Sequence, residues 1–463
     1  MRIIILGAGR VGFTVASNLA KENIDITLID KDQSVIDSAC ERLDVSAICG
    51  NVSHPDVLKS AGIEQADIII AVTDSDEVNM MACQIAHHLF NVPKKIARVR
   101  AQAFLNVKDT LFSSAAIPID AIINPENEIV HFIENLILHP GAQQVLSFAD
   151  GALNLVETKF TRQNAMIGKS IAELSATLQE IYARIAIIYR NAEIILPNNQ
   201  TLIKEGDRVF FIAASEDIQK VLNILFNQNK PYKRLIIAGG GRIGLGLAKA
   251  LENSMQVKII TKNTSKANQL SEQLDNTIVL SGDAADEAFL LEENIDRTDV
   301  FCALSKDDET NILRSMLAKS LGARVVMSVV DRKAYMGMVD NGSIDNVIYP
   351  QHTTIGKILT HVREDDISCV HSLLRGKAEA FEATVQDNGT KSHIAGKNIG
   401  DIKLPKDVII IGLVRQGESI PARSGVTLKG GDHLILFIAD KSAITQVEAL
   451  FKPTKSLLSK ILG

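Results

Sequence analysis

A chain of 463 residues has room for about three ordinary domains, each with its own core. Hydrophobic residues at 46%, charged residues at 22% and only 11 prolines describe a folded protein and exclude a long disordered tract. A formal charge of -6 argues against a nucleic-acid protein, whose binding face carries a basic excess.

No uninterrupted apolar segment approaches the roughly 18 residues that a membrane span needs. The longest, such as Val408 to Val414, have strand length. The apolar start at Ile3 to Leu6 is too short for a signal-peptide core and runs straight into a glycine turn, so a cytoplasmic location is expected. Five cysteines (Cys40, Cys49, Cys83, Cys302, Cys369) lie far apart without a C-x-x-C, as reduced structural thiols do.

Taken in chain order, Arg2 to Leu6 reads as a buried strand that ends in G-x-G-x-x-G at Gly7, Gly9 and Gly12. Such a turn leaves backbone amides open to a pyrophosphate at the start of a helix. The helix, about Arg10 to Asn23, carries Val11, Val15 and Leu19 on one side, and the next strand, Ile26 to Ile29, ends at Asp30. A carboxylate there suits the hydroxyls of an adenosine ribose, the alternative being a solvated strand-end acid. Strands at Val45 to Cys49 and Ala66 to Val72 end at Gly50-Asn51 and Thr73-Asp74. At the carboxyl edge of a parallel sheet, Asn51 is placed to meet adenine and Thr73 the middle of a cofactor, or both are ordinary turn residues.

A helix with Asn79, Cys83 and His87 on one face leads to strand Ile96 to Val99, where Arg98 and Arg100 offer guanidinium forks to phosphate oxygens or to surface ion pairs. His87-His88 lacks partners at metal spacing. Residues 117–139 read as a connector in which Pro118 and Pro125 break local helices, and the stripe Ile129, Ile133, Leu136 and Ile137 suits either a core or a crossover helix. Beyond His139-Pro140-Gly141 comes a small α+β module with strands Leu153 to Phe160, Arg184 to Arg190 and Val209 to Ala213, then a helix capped by Ser215.

After the linker Asn227 to Arg234 the pattern starts again, at an offset near 232 residues. Gly7 falls on Gly239, Gly12 on Gly244, Gly50 on Gly282, Asn51 on Asp283, Thr73 on Ser305, Glu77 on Glu309 and Asn79 on Asn311. In the later module Glu205-Gly206-Asp207 is answered by Gly430-Gly431-Asp432, and Phe211-Ile212 by Phe437-Ile438. The expected architecture is α/β: two tandem Rossmann-like doubly wound parallel-sheet lobes (1–141 with the connector, and 232–367), each followed by a small α+β lobe (142–227 and 368–453). One position departs: Asp30 faces Thr261, followed by Lys262. The second crevice is then a weakened nucleotide site, a site for a phosphorylated or ATP-like ligand, or an empty pseudo-site.

The segments 7–12 with Asp30, 50–58, 71–86, 231–244, 282–284 and 304–319 resemble the TrkA family, the cytosolic regulatory subunits of bacterial Trk potassium uptake, over nearly the whole chain. The resemblance implies two tandem regulator-of-potassium-conductance (RCK) units that bind NAD(H) or an adenine nucleotide such as ATP or ADP without chemistry. It further implies a homo-oligomeric ring, peripheral on the cytoplasmic membrane face, under a potassium channel of the TrkH or TrkG type. Carried over by position, the ligand residues are Gly7, Gly9, Arg10, Gly12, Asp30, Asn51, Thr73 and Arg98, and then Gly239, Gly241, Gly244, Asp283 and Ser305. The competing readings are a duplicated NAD-dependent dehydrogenase and a nucleotide-sensing scaffold with another partner. The dehydrogenase lacks support, since no histidine, lysine or tyrosine recurs at the sheet edge of both halves as proton donor or acceptor. The tail 452–463, with lysines among leucines and isoleucines, reads as a frayed helix or a surface contact.

Overall fold

The computed structural model describes residues 1–20, 24–161, 164, 166–178, 181–226, 230–339, 342–363, 367–387 and 392–452. The first sheet is parallel and is formed by β1 (Arg2–Leu6), β2 (Asp25–Asp30), β3 (Ser46–Cys49), β4 (Ile68–Ala71), β5 (Lys94–Arg98) and β6 (Ala121–Ile123). Their order across the sheet is β3-β2-β1-β4-β5-β6, which puts the reversal of strand order between β1 and β4, where ligands of such sheets bind. The central strands read as unbroken apolar runs because both faces are covered. On one side Ile3 and Ile5 pack with Val15 and Leu19 of α1 (Arg10–Leu19), and on the other Ile4 and Leu6 pack with Ala82 and Cys83 of α2 (Asp76–His88).

Pro125 does not break a helix. It occupies the first turn of α3 (Pro125–Leu138), whose N-cap Asn124 accepts a hydrogen bond from the Asn127 amide. A proline fits there because the first helical N–H has no partner to lose. The chain then forms an antiparallel sheet of β7 (Ala142–Phe148), β8 (Leu153–Lys159), β9 (Ala183–Arg190), β10 (Glu193–Ile195) and β11 (Arg208–Ala214), ordered β10-β9-β11-β8-β7. Its last helix begins at Ile218 after a short 3-10 turn, and Ser215 does not cap it: the hydroxyl donates to the Gly151 carbonyl and accepts from Asn154 instead.

The second half repeats both sheets. β12 (Arg234–Ala238), β13 (Gln256–Thr261), β14 (Ile278–Ser281), β15 (Val300–Ala303), β16 (Val325–Val329) and β17 (Asn346–Ile348) take the order β14-β13-β12-β15-β16-β17. They are accompanied by α4 (Arg242–Leu251), α5 (Asp308–Ser320) and α6 (Pro350–Val362). The closing antiparallel sheet holds β18 (Ile367–Leu373), β19 (Ala378–Thr384), β20 (Val408–Arg415), β21 (Glu418–Ile420) and β22 (His433–Ile438).

In the antiparallel lobes the internal repeat is tied by its acidic turn. Asp207 and Asp432, both fully buried, each take a two-pronged guanidinium bond, from Arg190 and Arg415, at 2.7 to 2.8 Å. Counting from these aspartates, and from the pairing of Arg208 with Lys159 and of His433 with Thr384, Phe211 corresponds to Leu436 and Ile212 to Phe437. The sequence alignment of Phe211 with Phe437 was therefore one residue out of register. A one-residue slip reverses the face of every side chain in a strand. Phe211 and Leu436 point into the cores shared with the parallel lobes, whereas Ile212 and Phe437 meet between the two antiparallel sheets.

The halves exchange their crossover helices. Ile129, Ile133, Leu136 and Ile137 of α3 lie in one core with Ile237 and Leu247 of the second parallel lobe, and Ile355, Ile358 and Leu359 of α6 lie in one core with Ile3, Ile5 and Val15 of the first. Each such isoleucine or leucine, once buried, contributes about 1.5–3 kcal/mol, so neither helix can leave the opposite lobe cheaply. The stripe on residues 117–139 is a crossover and a core at once.

Candidate functional site

Both glycine turns have the backbone that a phosphate seat requires. Gly7 has φ +98° and Gly239 φ +134°, and a β-carbon at either would press on the backbone of Thr73 or Leu304 at about the distance where real contacts fail, 3.0 and 2.9 Å. A β-carbon on Gly12 would lie 1.8 Å from the Gly7 carbonyl oxygen, and one on Gly244 2.0 Å from that of Gly239, so only glycine lets α1 and α4 approach their strands. Gly9 and Gly241, by contrast, have nothing within 4 Å of that position. They are the N-caps of α1 and α4 and make no side-chain cap bond, so the helix N-termini open onto free space with their partial positive charge.

Around the first turn Asp30 is half-buried at the end of β2, and its carboxylate accepts from the Ala8 amide at 2.7 Å and the Asp32 amide at 3.1 Å. The acid is thereby locked beside the glycine turn. Asn51 is exposed beyond β3, where its side-chain oxygen accepts from the Ser53 amide and hydroxyl at 3.1 and 2.8 Å and its Nδ2 approaches His54 at 3.3 Å. Thr73 donates its hydroxyl to Asn79 Oδ1 at 2.7 Å, and its amide donates to the same oxygen at 2.9 Å. The buried Asn79 then donates to the Arg98 carbonyl at 2.9 Å, bracing the ends of β4 and β5. Ser305, Asn311 and the Val329 carbonyl repeat this brace in the second lobe at 2.7 to 2.9 Å. The repeated D-E-x-N segment was legible in the sequence; its bracing role was not.

Arg98 stands half-buried at the end of β5, and its buried Nε has no hydrogen-bond partner among the described residues. Burial, and then the neighbouring Arg100 charge, lowers its proton affinity, which is the condition of a cation short of an anion. Arg100 itself is committed to the Asp76 carboxylate at 3.2 Å and to the Asp74 carbonyl. In Asp76 burial works to raise the pKa, but the amides of Arg100 and Ala101 and the Arg100 guanidinium outweigh it and hold the carboxyl below its usual range.

The second crevice carries other charges. By strand pairing, Val329 stands where the first lobe has Arg98, and Asp331 where it has Arg100. Asp283, the counterpart of Asn51, lies between Lys262 Nζ at 2.7 Å and Arg314 at 3.1 Å. Burial pushes the Asp283 carboxyl up, and these donors with the Ala285 amide more than reverse it. Thr261 fills the ribose-acid position, its hydroxyl oxygen 3.4 Å from the Asn263 amide. Gly240 replaces Ala8, and the space its missing β-carbon leaves is taken by Leu270, 2.7 Å from that position. The first lobe has Ala39 where the second has Leu270, so the repeat has enlarged one side of this contact and trimmed the other.

Arg10 turns out to face the other half. Its guanidinium pairs with Asp331 beyond β16, and Arg242, its counterpart, lies 3.7 Å from Glu126 at the start of α3. Nothing in the sequence pattern could have paired residues so far apart. Among the described residues no cluster of His, Cys, Asp and Glu could hold a metal, and no helix is long and apolar enough to cross a membrane.

Comparison with known proteins agrees with this geometry. The TrkA-N domain pattern matches residues 3–125 and 235–350, and the TrkA-C domain pattern residues 155–225 and 389–452. The Trk system potassium uptake protein TrkA of Vibrio alginolyticus is 46% identical over 458 residues, covering 99% of this chain and 100% of that protein. TrkA of Halomonas elongata is 47% identical over 452 residues, covering 98% and 99%. Among solved structures, the GsuK RCK domain superposes with a TM-score of 0.62 at 18% identity, covering 97% of this chain and 94% of its own. The GsuK channel bound to NAD superposes equally well, with a TM-score of 0.62 at 18% identity and coverage of 97% and 78%. Repeat, fold and full-length likeness together mean that the chain belongs to the TrkA family.

Proposed function

We propose that the chain is the nucleotide-binding regulatory subunit of a potassium-uptake system, and that its crevices bind rather than catalyse. The observation that carries this is the joining of an open, acid-flanked glycine turn to a helix pair exchanged between the halves. A ligand at Gly7 to Gly12 pushes on α1, and α1 rests on α6 of the other half. A non-catalytic role is supported by the polar groups at the strand ends, which are spent on bracing: Thr73 and Ser305 on asparagines, Asp76 and Arg100 on each other.

The first crevice is the main site, for NAD(H) or for ATP or ADP, with Gly7, Gly9 and Gly12 seating the phosphates, Asp30 the ribose, and Arg98 an anionic oxygen. In the second, Gly239, Gly241 and Gly244 offer the same seat, while Asp283 is already neutralised by Lys262 and Arg314. A ligand regulates only through unequal affinity for two shapes, and a coupling of about 1–3 kcal/mol suffices to move channel opening several-fold.

The partner is a membrane channel subunit of the TrkH or TrkG type, which places the chain on the cytoplasmic membrane face. A ring of copies is supported by apolar residues on the outer faces of α2 and α5, namely Met81 at 52% exposure, Leu313 at 66% and Met316 at 44%. Met81 and Leu313 are repeat equivalents, so a first lobe of one copy can meet a second lobe of the next and close a ring. The test is current through the reconstituted channel with this chain bound. Opening should change with NADH, ATP or ADP, and insensitivity to all of them would end the proposal.

A further inference from the structure

The face of α1 that carries Arg10, Thr14 and Asn18, at i, i+4 and i+8, is polar and is bonded throughout to the second half. Arg10 pairs with Asp331, the Thr14 hydroxyl lies between the Arg10 carbonyl at 2.8 Å and Gln351 Oε1 at 3.0 Å, and Asn18 Oδ1 accepts from Lys441 at 3.1 Å. Gln351 donates in turn to the Asp331 carboxylate at 3.1 Å and to its carbonyl at 3.1 Å, fixing the carboxylate in front of the first glycine turn. The matching face of α4 is built otherwise: Gly246 stands where Thr14 does and lies against Val130, whose Cγ2 would be 3.0 Å from a β-carbon there. This contact between the halves is tight and apolar at Gly246 and Val130, with Arg242 and Glu126 3.7 Å apart at its end. The other is held by charges at the mouth of the more complete crevice.

From this we infer that Asp331, a residue of the second lobe, sets the ligand specificity of the first crevice by holding Arg10. The inference rests on the nucleotide reading of that crevice. Arg10 is the first residue of α1, directly after the open Gly9 amide, so a phosphate chain seated on the turn meets its guanidinium. Such a ligand must share Arg10 with Asp331 and bear the nearby carboxylate charge. The cost grows with the negative charge on the ligand, so it falls more heavily on a triphosphate than on the pyrophosphate of a dinucleotide. Conversely, a triphosphate that binds takes Arg10 away from Asp331 and loosens the charged contact between the halves, whereas a dinucleotide leaves it closed. The repeat does not share the device, because the position of Asp331 is occupied in the first lobe by the opposite charge, Arg100.

Calorimetric titration of the full chain with ATP, ADP and NADH, on the wild type, Asp331→Asn and Asp331→Glu, tests this. Asparagine keeps the oxygen that Gln351 bonds and removes the charge. For that variant ATP should bind roughly three- to tenfold more tightly and NADH within about twofold of wild type, with ADP between them, for an exposed pair of this kind. Glutamate should return ATP affinity toward the wild-type value. A uniform change for all three ligands, or none, would overturn the inference, because a merely structural contact does not sort ligands by charge. If the wild type bound none of the three, the nucleotide reading itself would fall; a wild type that binds while the variant fails to discriminate removes only the role of Asp331.

Discussion

The two parallel lobes have one backbone and two charge patterns. Gly7, Gly9 and Gly12 are matched in conformation and in surrounding space by Gly239, Gly241 and Gly244, and the Asn79 brace is matched by Asn311. Of the groups that would touch a ligand, Arg10 is kept as Arg242 and the Thr73 hydroxyl as that of Ser305, but Asp30 stands against Thr261, Asn51 against Asp283 and Arg98 against Val329, with the neighbouring Arg100 against Asp331. Gly7 and Gly12, with Gly239 and Gly244, have been kept through the duplication because any side chain there collides, whereas Gly9 and Gly241 face open space. Most positions whose task is electrostatic have diverged, because a changed charge leaves the fold intact.

The strongest test of that equivalence is steric. Gly12→Ala and Gly244→Ala should each cost about 3 kcal/mol of stability, since each drives a methyl group into the backbone carbonyl of Gly7 or Gly239 beside a buried isoleucine side chain. Denaturant titration of both variants measures it, and a loss confined to one of them would break the matching of the two turns.

Binding should then separate the lobes. Asp30→Ala is expected to weaken NADH by about 2 kcal/mol, roughly thirtyfold, the usual worth of hydrogen bonds to a charged group. Thr261→Ala should leave the measured affinity unchanged within about twofold, and equal losses from the two would show that both crevices hold ligand in the same way.

The smallest effect is on acid stability. The Asp76 carboxyl is lowered in the folded chain, so its contribution is present above the pKa of the unfolded chain and is lost as pH falls through the folded value. Asp283 follows the same sign in the second lobe. Unfolding followed from neutral pH to below about pH 4 should therefore decline less steeply in Asp76→Asn and in Asp283→Asn than in the wild type, and a steeper decline would contradict the bonding described at these carboxylates.

Much of the site was open to reading. The glycines, Asp30 and the substitution by Thr261 were visible because a parallel strand, a glycine turn and a helix leave a spaced local pattern. Asn79 and Asn311 recur with Thr73 and Ser305, six residues earlier in each lobe; that recurrence was visible, but the hydrogen bonds that make them braces were not. The triad of Lys262, Asp283 and Arg314 was only partly legible, since Arg314 has Ala82 as its counterpart and nothing in the first half announces it. Ser215 and Pro125 were misread for a local reason: a serine near a helix start or a proline near a hydrophobic stripe has more than one use, and the neighbours decide.

What the sequence determined by itself is the succession of lobes, the alternation of strand and helix within the parallel ones, and the place of the glycine turns, all of which follow from short-range periodicity and glycine chemistry. Only the tertiary structure decided which half each crossover helix serves and which residues close the first crevice. The apolar stripes of α3 and α6 specify burial but not the partner, and Arg10 and Asp331 are brought together by that exchange alone. Local pattern can state that a surface must be covered. Which surface covers it depends on the packing of the whole chain.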